Sequence, residues 1–147
     1  MPAPTQNKTT RQRRPAAQQP VIVGSNDIGK LPPQSKELEE AVLGAIMIQK
    51  DAFGVVSDLL RPESFYEFKH YTIYQAIQSL AAADAPIDAL TVVEQLKNMG
   101  LLEQAGGFQY VNELTMKVSS TAHLLRHAQL LAQKATARDL IRFAADI

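Results

Sequence analysis

His123 and His127 are the two side chains whose spacing most suggests chemistry. Four residues apart on a helix, both imidazoles project on one side, as zinc ligands do in helical metal sites. Position 124 is a leucine, so the glutamate that serves as general base in helical zinc peptidases is missing. No third ligand is evident. We therefore predict two solvated histidines and no metal-binding residue.

Three glutamates, Glu37, Glu39 and Glu40, could in principle act as paired catalytic carboxylates. They also stand where a helix amino terminus favours negative charge, and this structural interpretation is preferred. The glycine pair Gly106-Gly107 is followed by Phe-Gln, and a phosphate-binding loop would need lysine and a hydroxyl residue there. The sequence therefore predicts no catalytic and no cofactor-binding residue in this chain.

Four tyrosines could stack on nucleic-acid bases. Their only basic neighbours are Lys69 and His70, and aromatic residues at helical spacing are usually part of a core. We predict that Tyr74 is buried. Tyr110 is predicted to lie on a contact surface, because it falls outside the apolar stripe of its helix. The tyrosines are Tyr66, Tyr71, Tyr74 and Tyr110.

Composition limits the class of protein. The 147 residues allow one compact domain with appendages, and the absence of cysteine is compatible with a reducing cytosol. No apolar run approaches the roughly 20 residues that cross a bilayer. The expectation is a cytoplasmic protein with no membrane partner.

Charge is distributed unevenly although the formal net charge is zero. Basic residues dominate the first thirty positions, which lack apolar periodicity, so we predict a disordered basic tail over residues 1–30. The remainder is net acidic. An acidic surface fits phosphate groups poorly, and the body is predicted to bind protein rather than nucleic acid.

The elements that position these residues are predicted to be helices. Ser35, after two prolines, is a natural N-cap, and Leu38, Val42 and Ile46 belong to one apolar stripe beside Gly44. Gly44 permits close approach by a neighbouring helix.

Further helices are predicted along the chain. Asp51 is predicted to cap a second helix, which Arg61-Pro62 ends, and a third helix is predicted to close before Pro86. A fourth helix is predicted between a cap at Asp88 and Gly100, and a short fifth one after Gly106-Gly107. No stretch alternates convincingly as a strand does. The predicted fold is all-α: a compact bundle of about five helices over residues 31–120.

A last helix is predicted from Ser119–Thr121 to the end, with no glycine or proline to stop it. At about 1.5 Å per residue it would be close to 40 Å long, more than a globule of this size is wide, so part of it must project. One apolar line along it consists of Leu124, Ala128, Leu131 and Ala135. A projecting helix with an apolar side is expected to seek a partner.

Four segments together resemble the amino-terminal domain of bacterial replicative DNA helicases of the DnaB type, in order and in spacing. Departures are Leu38, where the family often has alanine, and a longer leader. The similarity covers about residues 31–147. The segments are LPPQSKELEEAVLGAIM, RPESFYEFKHYTIYQAI, PIDALTVVEQLKNMGLLEQAGGFQYVNEL and SSTAHLLRHAQLLAQKATARDLI.

The resemblance implies that residues 121–147 are the first helix of a helical hairpin, with the second arm and a RecA-like ATPase domain following Ile147. Hairpins of such domains pair into a trimer-of-dimers collar on a homohexameric ring around DNA. The collar offers a docking surface for the carboxy-terminal domain of primase, and a helicase loader is a possible further partner. ATP and Mg²⁺ would belong to the ATPase domain.

The resemblance also suggests site residues. Glu37, Tyr110 and Ile141 match the family's pattern and are expected to contact partners, although Ile141 could equally be a hairpin core residue. The hairpin interface is expected to contain Leu124, Ala128, Leu131 and Ala135. A rival interpretation is a stand-alone helical domain that binds nucleic acid through its basic tail.

Overall fold

The computed structural model describes residues 32–145, so the predicted basic tail lies outside the described residues. Within them the chain is entirely helical, and the predicted all-α fold is confirmed. A 3₁₀ turn, Pro62–Ser64, precedes α3. The helices are α1 (Lys36–Ile48), α2 (Ala52–Val56), α3 (Phe68–Ala82), α4 (Ala89–Asn98), α5 (Gly107–Met116) and α6 (Leu124–Ala145).

α1 is the central helix of the globule and packs on α3, α5 and α6. It begins as predicted, with the Ser35 hydroxyl accepting from the backbone N–H of Leu38 at 3.2 Å. A Cβ added at Gly44 would lie only 2.3 Å from the carbonyl oxygen of Leu114 and from a methyl group of Val118. Glycine therefore lets the backbones of α1 and α5 approach closely, as the sequence predicts.

Of the two aspartates predicted to cap helices, one does so and the other does not. Asp88 caps α4, because its carboxylate accepts from the N–H of Thr91 at 2.9 Å. Asp51 does not cap α2: its backbone is left-handed (φ 63°) and its side chain makes no capping bond. A short connection from α1 requires that conformation, which aspartate tolerates better than most residues. α2 then ends at Val56, earlier than predicted.

The aromatic centre of the core is Tyr74, which is fully buried as predicted. Its ring lies 5.0 Å from that of Phe65 and 5.9 Å from that of Phe53 between centroids. The hydroxyl donates to the carbonyl oxygen of Leu60 at 3.0 Å, so burial leaves no polar atom unpaired. Tyr74 thus joins α3 to the segment between α2 and the 3₁₀ turn.

The first half of α6 belongs to the globule, which corrects the predicted hairpin interface. Leu124, Ala128 and Leu131 are buried in the same core as α1, and Ala135 is half-buried. The apolar line along α6 therefore covers the chain's own core, where it removes more apolar surface from water than a free arm could. Only the end of α6 projects: residues 139–145 are all exposed.

Candidate partner-binding site

A buried polar network connects α1, α3 and α5. The Glu39 carboxylate, on the first turn of α1, accepts from Nδ1 of His70 at 2.8 Å, and both side chains are fully buried. On its other side, the His70 ring pairs through Nε2 with the phenol of Tyr110 on α5. The rings of His70 and Tyr110 lie nearly parallel. Three helices are therefore joined by one chain of side-chain hydrogen bonds.

The Glu39 carboxylate is supplied with further donors by the backbone. The N–H groups of Tyr66 and Glu67 donate to its two oxygens at 2.9 and 3.2 Å. A buried carboxylate is tolerated only when its oxygens are paired in this way. Glu39 was predicted as one of three acidic residues of the first turn, and it is instead a structural anchor for the start of α3.

Tyr110 is the outer member of the network. Its ring is half-buried, and the Lys69 ammonium lies 3.9 Å from the ring centroid, within cation–π distance. Burial raises the pKa of the Tyr110 phenol, and the negative charges of nearby glutamates, with Glu40 first, raise it further. Both effects favour the protonated phenol, which can donate to Nε2 of His70 when the ring proton lies on Nδ1, facing Glu39. At Tyr110 the predicted contact surface therefore consists of one half-buried ring.

The other two predicted partner residues lie elsewhere. Glu37 is exposed on the first turn of α1, with the Ser35 hydroxyl 3.5 Å from its carboxylate. Ile141 lies on the projecting end of α6 and is 47% exposed. Within residues 32–145 no hydrogen bond or ion pair joins Glu37, Tyr110 or Ile141 to one another. The three residues are therefore spread over α1, α5 and α6.

The projecting end of α6 carries the most exposed apolar side chains of that helix. Leu140 is 64% exposed and Phe143 is 72% exposed, with Ile141 between them. We call Leu140, Ile141 and Phe143 the α6 tip. Large apolar side chains grouped in this way on a helix are typical of a surface that a partner covers.

His123, in the turn just before α6, is exposed and His127, on the first turn of α6, is half-buried, with their ring centroids 6.2 Å apart. Among the residues that the structure describes, no group of three possible ligands gathers around a common point. Nor is any described helix both long and apolar enough to cross a bilayer.

The family of proteins described as the DnaB-like helicase N terminal domain matches residues 31–133, which is well over half of the chain. The chain belongs to this family. The resemblance inferred from the four sequence segments is therefore confirmed.

Solved structures of the family share this fold. The crystal structure of the N-terminal domain of DnaB helicase from Mycobacterium tuberculosis superposes with a TM-score of 0.76 at 36% identity, over 79% of this chain and 81% of that one. A DnaB-like replicative helicase, described together with its interactions with primase, superposes with a TM-score of 0.69 at 29% identity. The superposition covers 76% of this chain and 26% of that helicase.

Relatives known by sequence are replicative helicases. The replicative DNA helicase DnaB of Rhodothermus marinus is 42% identical over 127 residues, or 86% of this chain. The replicative DNA helicase DnaC of Bacillus subtilis is 39% identical over 118 residues, or 80% of this chain. The chain spans only 13% and 26% of the lengths of these two proteins.

Three polar residues that organise this DnaB-like domain were not predicted: Glu39 as a buried anchor, His70 and Arg138. Two of them, Glu39 and Arg138, had a signal in the sequence. Glu39 stands three and seven residues before Val42 and Ile46, on the apolar face of α1. Arg138 continues the apolar line of α6, three residues after Ala135. A charged residue at a core position indicates a buried polar bond, but the partner is visible only in the folded chain.

Proposed function

We propose that this chain is the amino-terminal collar domain of a hexameric replicative DNA helicase, and that it mediates subunit assembly and primase docking during DNA replication. The exposed α6 tip is the observation that carries the assembly role, because Leu140 and Phe143 extend beyond the globule with their apolar surface uncovered. Membership of the DnaB-like family supports the same role.

Primase docking is supported by a relative. A DnaB-like helicase of the same fold is described with its interactions with primase. In the collar role, the carboxy-terminal domain of primase would meet the globule near exposed Glu37 and the ring edge of Tyr110. A helicase loader would be a further protein partner.

The parent protein would supply the motor. Unwinding would be driven by ATP hydrolysis with Mg²⁺ in a separate RecA-like domain, and DNA would pass through the assembled ring. The collar domain itself would contribute no catalytic residue. The protein would act in the cytoplasm, where the chromosome of a bacterium is replicated.

The assembly role predicts that Ile141→Ala weakens self-association without unfolding the globule. Truncation removes apolar surface from the middle of the α6 tip, and we expect the dissociation constant to rise about tenfold. Sedimentation equilibrium of the 147-residue chain measures this constant. Leu90→Ala is the matched control, because Leu90 is also an exposed apolar residue, on α4. A parent chain that stays monomeric at millimolar concentration would contradict the assembly role.

The docking role is tested by capture of the carboxy-terminal domain of primase on the immobilised chain. Glu37→Lys reverses an exposed charge on α1 and should reduce the captured amount several-fold, because a charge reversal at an interface is repulsive. Glu94→Lys makes the same change on α4 and serves as control. Equal capture by both variants and the parent would remove Glu37 from the docking surface.

A further inference from the structure

Arg138 is a buried cation near the point where α6 leaves the globule. The side chain is only 4% exposed, and no carboxylate among the described residues lies within ion-pair distance of it. Its guanidinium instead donates to two backbone carbonyl oxygens, of Pro33 at 2.8 Å and of Ser64 at 2.9 Å. Burial lowers the pKa of Arg138, and the nearby charge of Glu39 opposes that effect.

The two buried charges hold the same stretch of backbone. Glu39, on α1, accepts from the N–H groups of Tyr66 and Glu67, while Arg138, on α6, donates to the carbonyl of Ser64. Glu39 thus binds two backbone N–H groups, and Arg138 binds a backbone carbonyl, of the same short segment, residues 64–67. The Tyr66 ring lies 5.7 Å from the guanidinium carbon, which adds a cation–π contact.

Arg138 is also the last anchored side chain of α6. Every residue from Asp139 to Ala145 is exposed, and within residues 32–145 that stretch makes one ion pair, between exposed Asp139 and exposed Arg61 at 3.8 Å. An exposed pair of this length holds a helix weakly. Among the described residues, position 138 is therefore the last point at which the globule holds α6, after the buried Leu124, Ala128 and Leu131.

We propose that Arg138 is a positioning residue, which fixes the direction in which residues 139–145 leave the globule and so presents the α6 tip to a second copy of the chain. The part that concerns the second copy rests on the proposed function. An apolar side chain at this position would fill the same volume but could slide or rotate. A planar guanidinium bound to two carbonyls from separate stretches of the chain, Pro33 before α1 and Ser64 before α3, restricts both movements.

The direction of the tip can be measured by the distance between two spin labels. The chain contains no cysteine, so cysteines introduced at exposed Asn98, on α4, and Ala144, on α6, would be the only labelling sites. Labelled chain is mixed with an excess of unlabelled chain, so that the measured distances are those between two labels on the same chain. We expect a narrow distance distribution for the parent, and a shifted or clearly broadened one for Arg138→Met, which retains bulk and removes both hydrogen bonds.

The control variant is Arg142→Gln, which removes a positive charge from the same helix at an exposed position. It should leave the distance distribution unchanged. A folded Arg138→Met variant with the parent's distribution would overturn the proposal. If Arg138→Met does not fold, Arg138→Lys decides: its ammonium keeps the charge but lacks the planar fork, so a broadened distribution supports the proposal and an unchanged one overturns it.

Sedimentation of the same variants separates this proposal from the collar role. With both correct, Arg138→Met raises the dissociation constant for self-association by about tenfold, although residue 138 is buried and touches no partner. A parent chain that never self-associates would contradict the collar role, while the spin-label distances would still report on Arg138. A merely structural role would lower stability without changing the distribution in the folded variant.

Discussion

Glu39, His70 and Tyr110 show how a polar residue can occupy the core of a small helical domain. Each member satisfies the next, and the backbone of residues 66–67 completes the pairing of the carboxylate. Such networks are stabilising only as a whole, since one missing member leaves a buried polar atom without a partner. Removing one member should therefore cost more stability than removing an exposed polar group.

Tyr110→Phe tests that dependence at the level of one atom. The variant keeps the ring and its contact with Lys69 but removes the hydroxyl that pairs with buried His70. We expect a loss of about 1–3 kcal/mol in the free energy of unfolding, measured by urea denaturation. Tyr66→Phe is the control, because the Tyr66 side chain is exposed and its hydroxyl makes no hydrogen bond within residues 32–145. A cost for Tyr110→Phe no larger than that of the control would contradict the network's role.

Tyr74 predicts how stability depends on alkaline pH. Burial raises its pKa from 10.0 to about 12, so the folded chain holds the phenol proton more tightly than the unfolded chain does. This contribution is complete below pH 10 and is lost as pH rises from 10 to about 12. Urea denaturation at pH 9 and pH 11 should show a smaller decline for Tyr74→Phe than for the parent. Equal declines would contradict this assignment.

At the scale of the element, close packing of helices determines which substitutions the domain accepts. α1 contacts four other helices, and its contact with α5 has no room for a side chain at Gly44. The capping of α1 by Ser35 and of α4 by Asp88 sets where these helices begin. The same residues thus fix both the length of the helices and their register in the core.

Gly44→Ala is expected to destabilise the domain by about 1–3 kcal/mol, because the added methyl group would overlap the Leu114 carbonyl and force α5 outward. Thermal or urea unfolding measures the loss. Gly54→Ala is the matched control: nothing lies within 4 Å of the added Cβ there, and alanine in a helix is favoured by about 0.5–1 kcal/mol over glycine. A neutral Gly44→Ala would show that α1 and α5 can separate without cost.

At the scale of the whole molecule, the globule and the α6 tip have different tasks. The core is closed by the first half of α6, while the tip is exposed and, in the proposed collar role, would contact a second copy. The net acidic body, compared with the basic residues before Leu31, makes protein contact through apolar surface the favoured mode of assembly.

Salt dependence distinguishes this mode from the rival interpretation. Association through the α6 tip should change little between about 50 mM and 500 mM salt, because apolar burial is not screened. DNA binding through basic residues 8–14 should fall by orders of magnitude over the same range. Sedimentation of the chain and fluorescence anisotropy of labelled DNA measure the two. Self-association that disappears at high salt would contradict an apolar interface.

Local signals in the sequence determined most of the helical fold. The caps at Ser35 and Asp88, the breaks at Gly100 and Gly106, and the spacing of apolar residues are properties of neighbours along the chain, and they predict the helices to within a few residues. The four sequence segments that resemble DnaB-type helicases were sufficient to identify the family. Asp51 misled as a cap because its left-handed backbone depends on how α2 packs, which local sequence does not encode.

Only the tertiary structure decided what covers the apolar face of α6 and which groups pair with the buried polar residues. Leu124, Ala128 and Leu131 form the apolar line that the sequence predicts, but periodicity cannot tell whether such a line meets the chain's own core or another subunit. The bonds from Glu39 to His70 and from Arg138 to Ser64 join residues 31 and 74 positions apart. Pairings over such distances follow from how the helices pack together, and no pattern of nearby residues contains them.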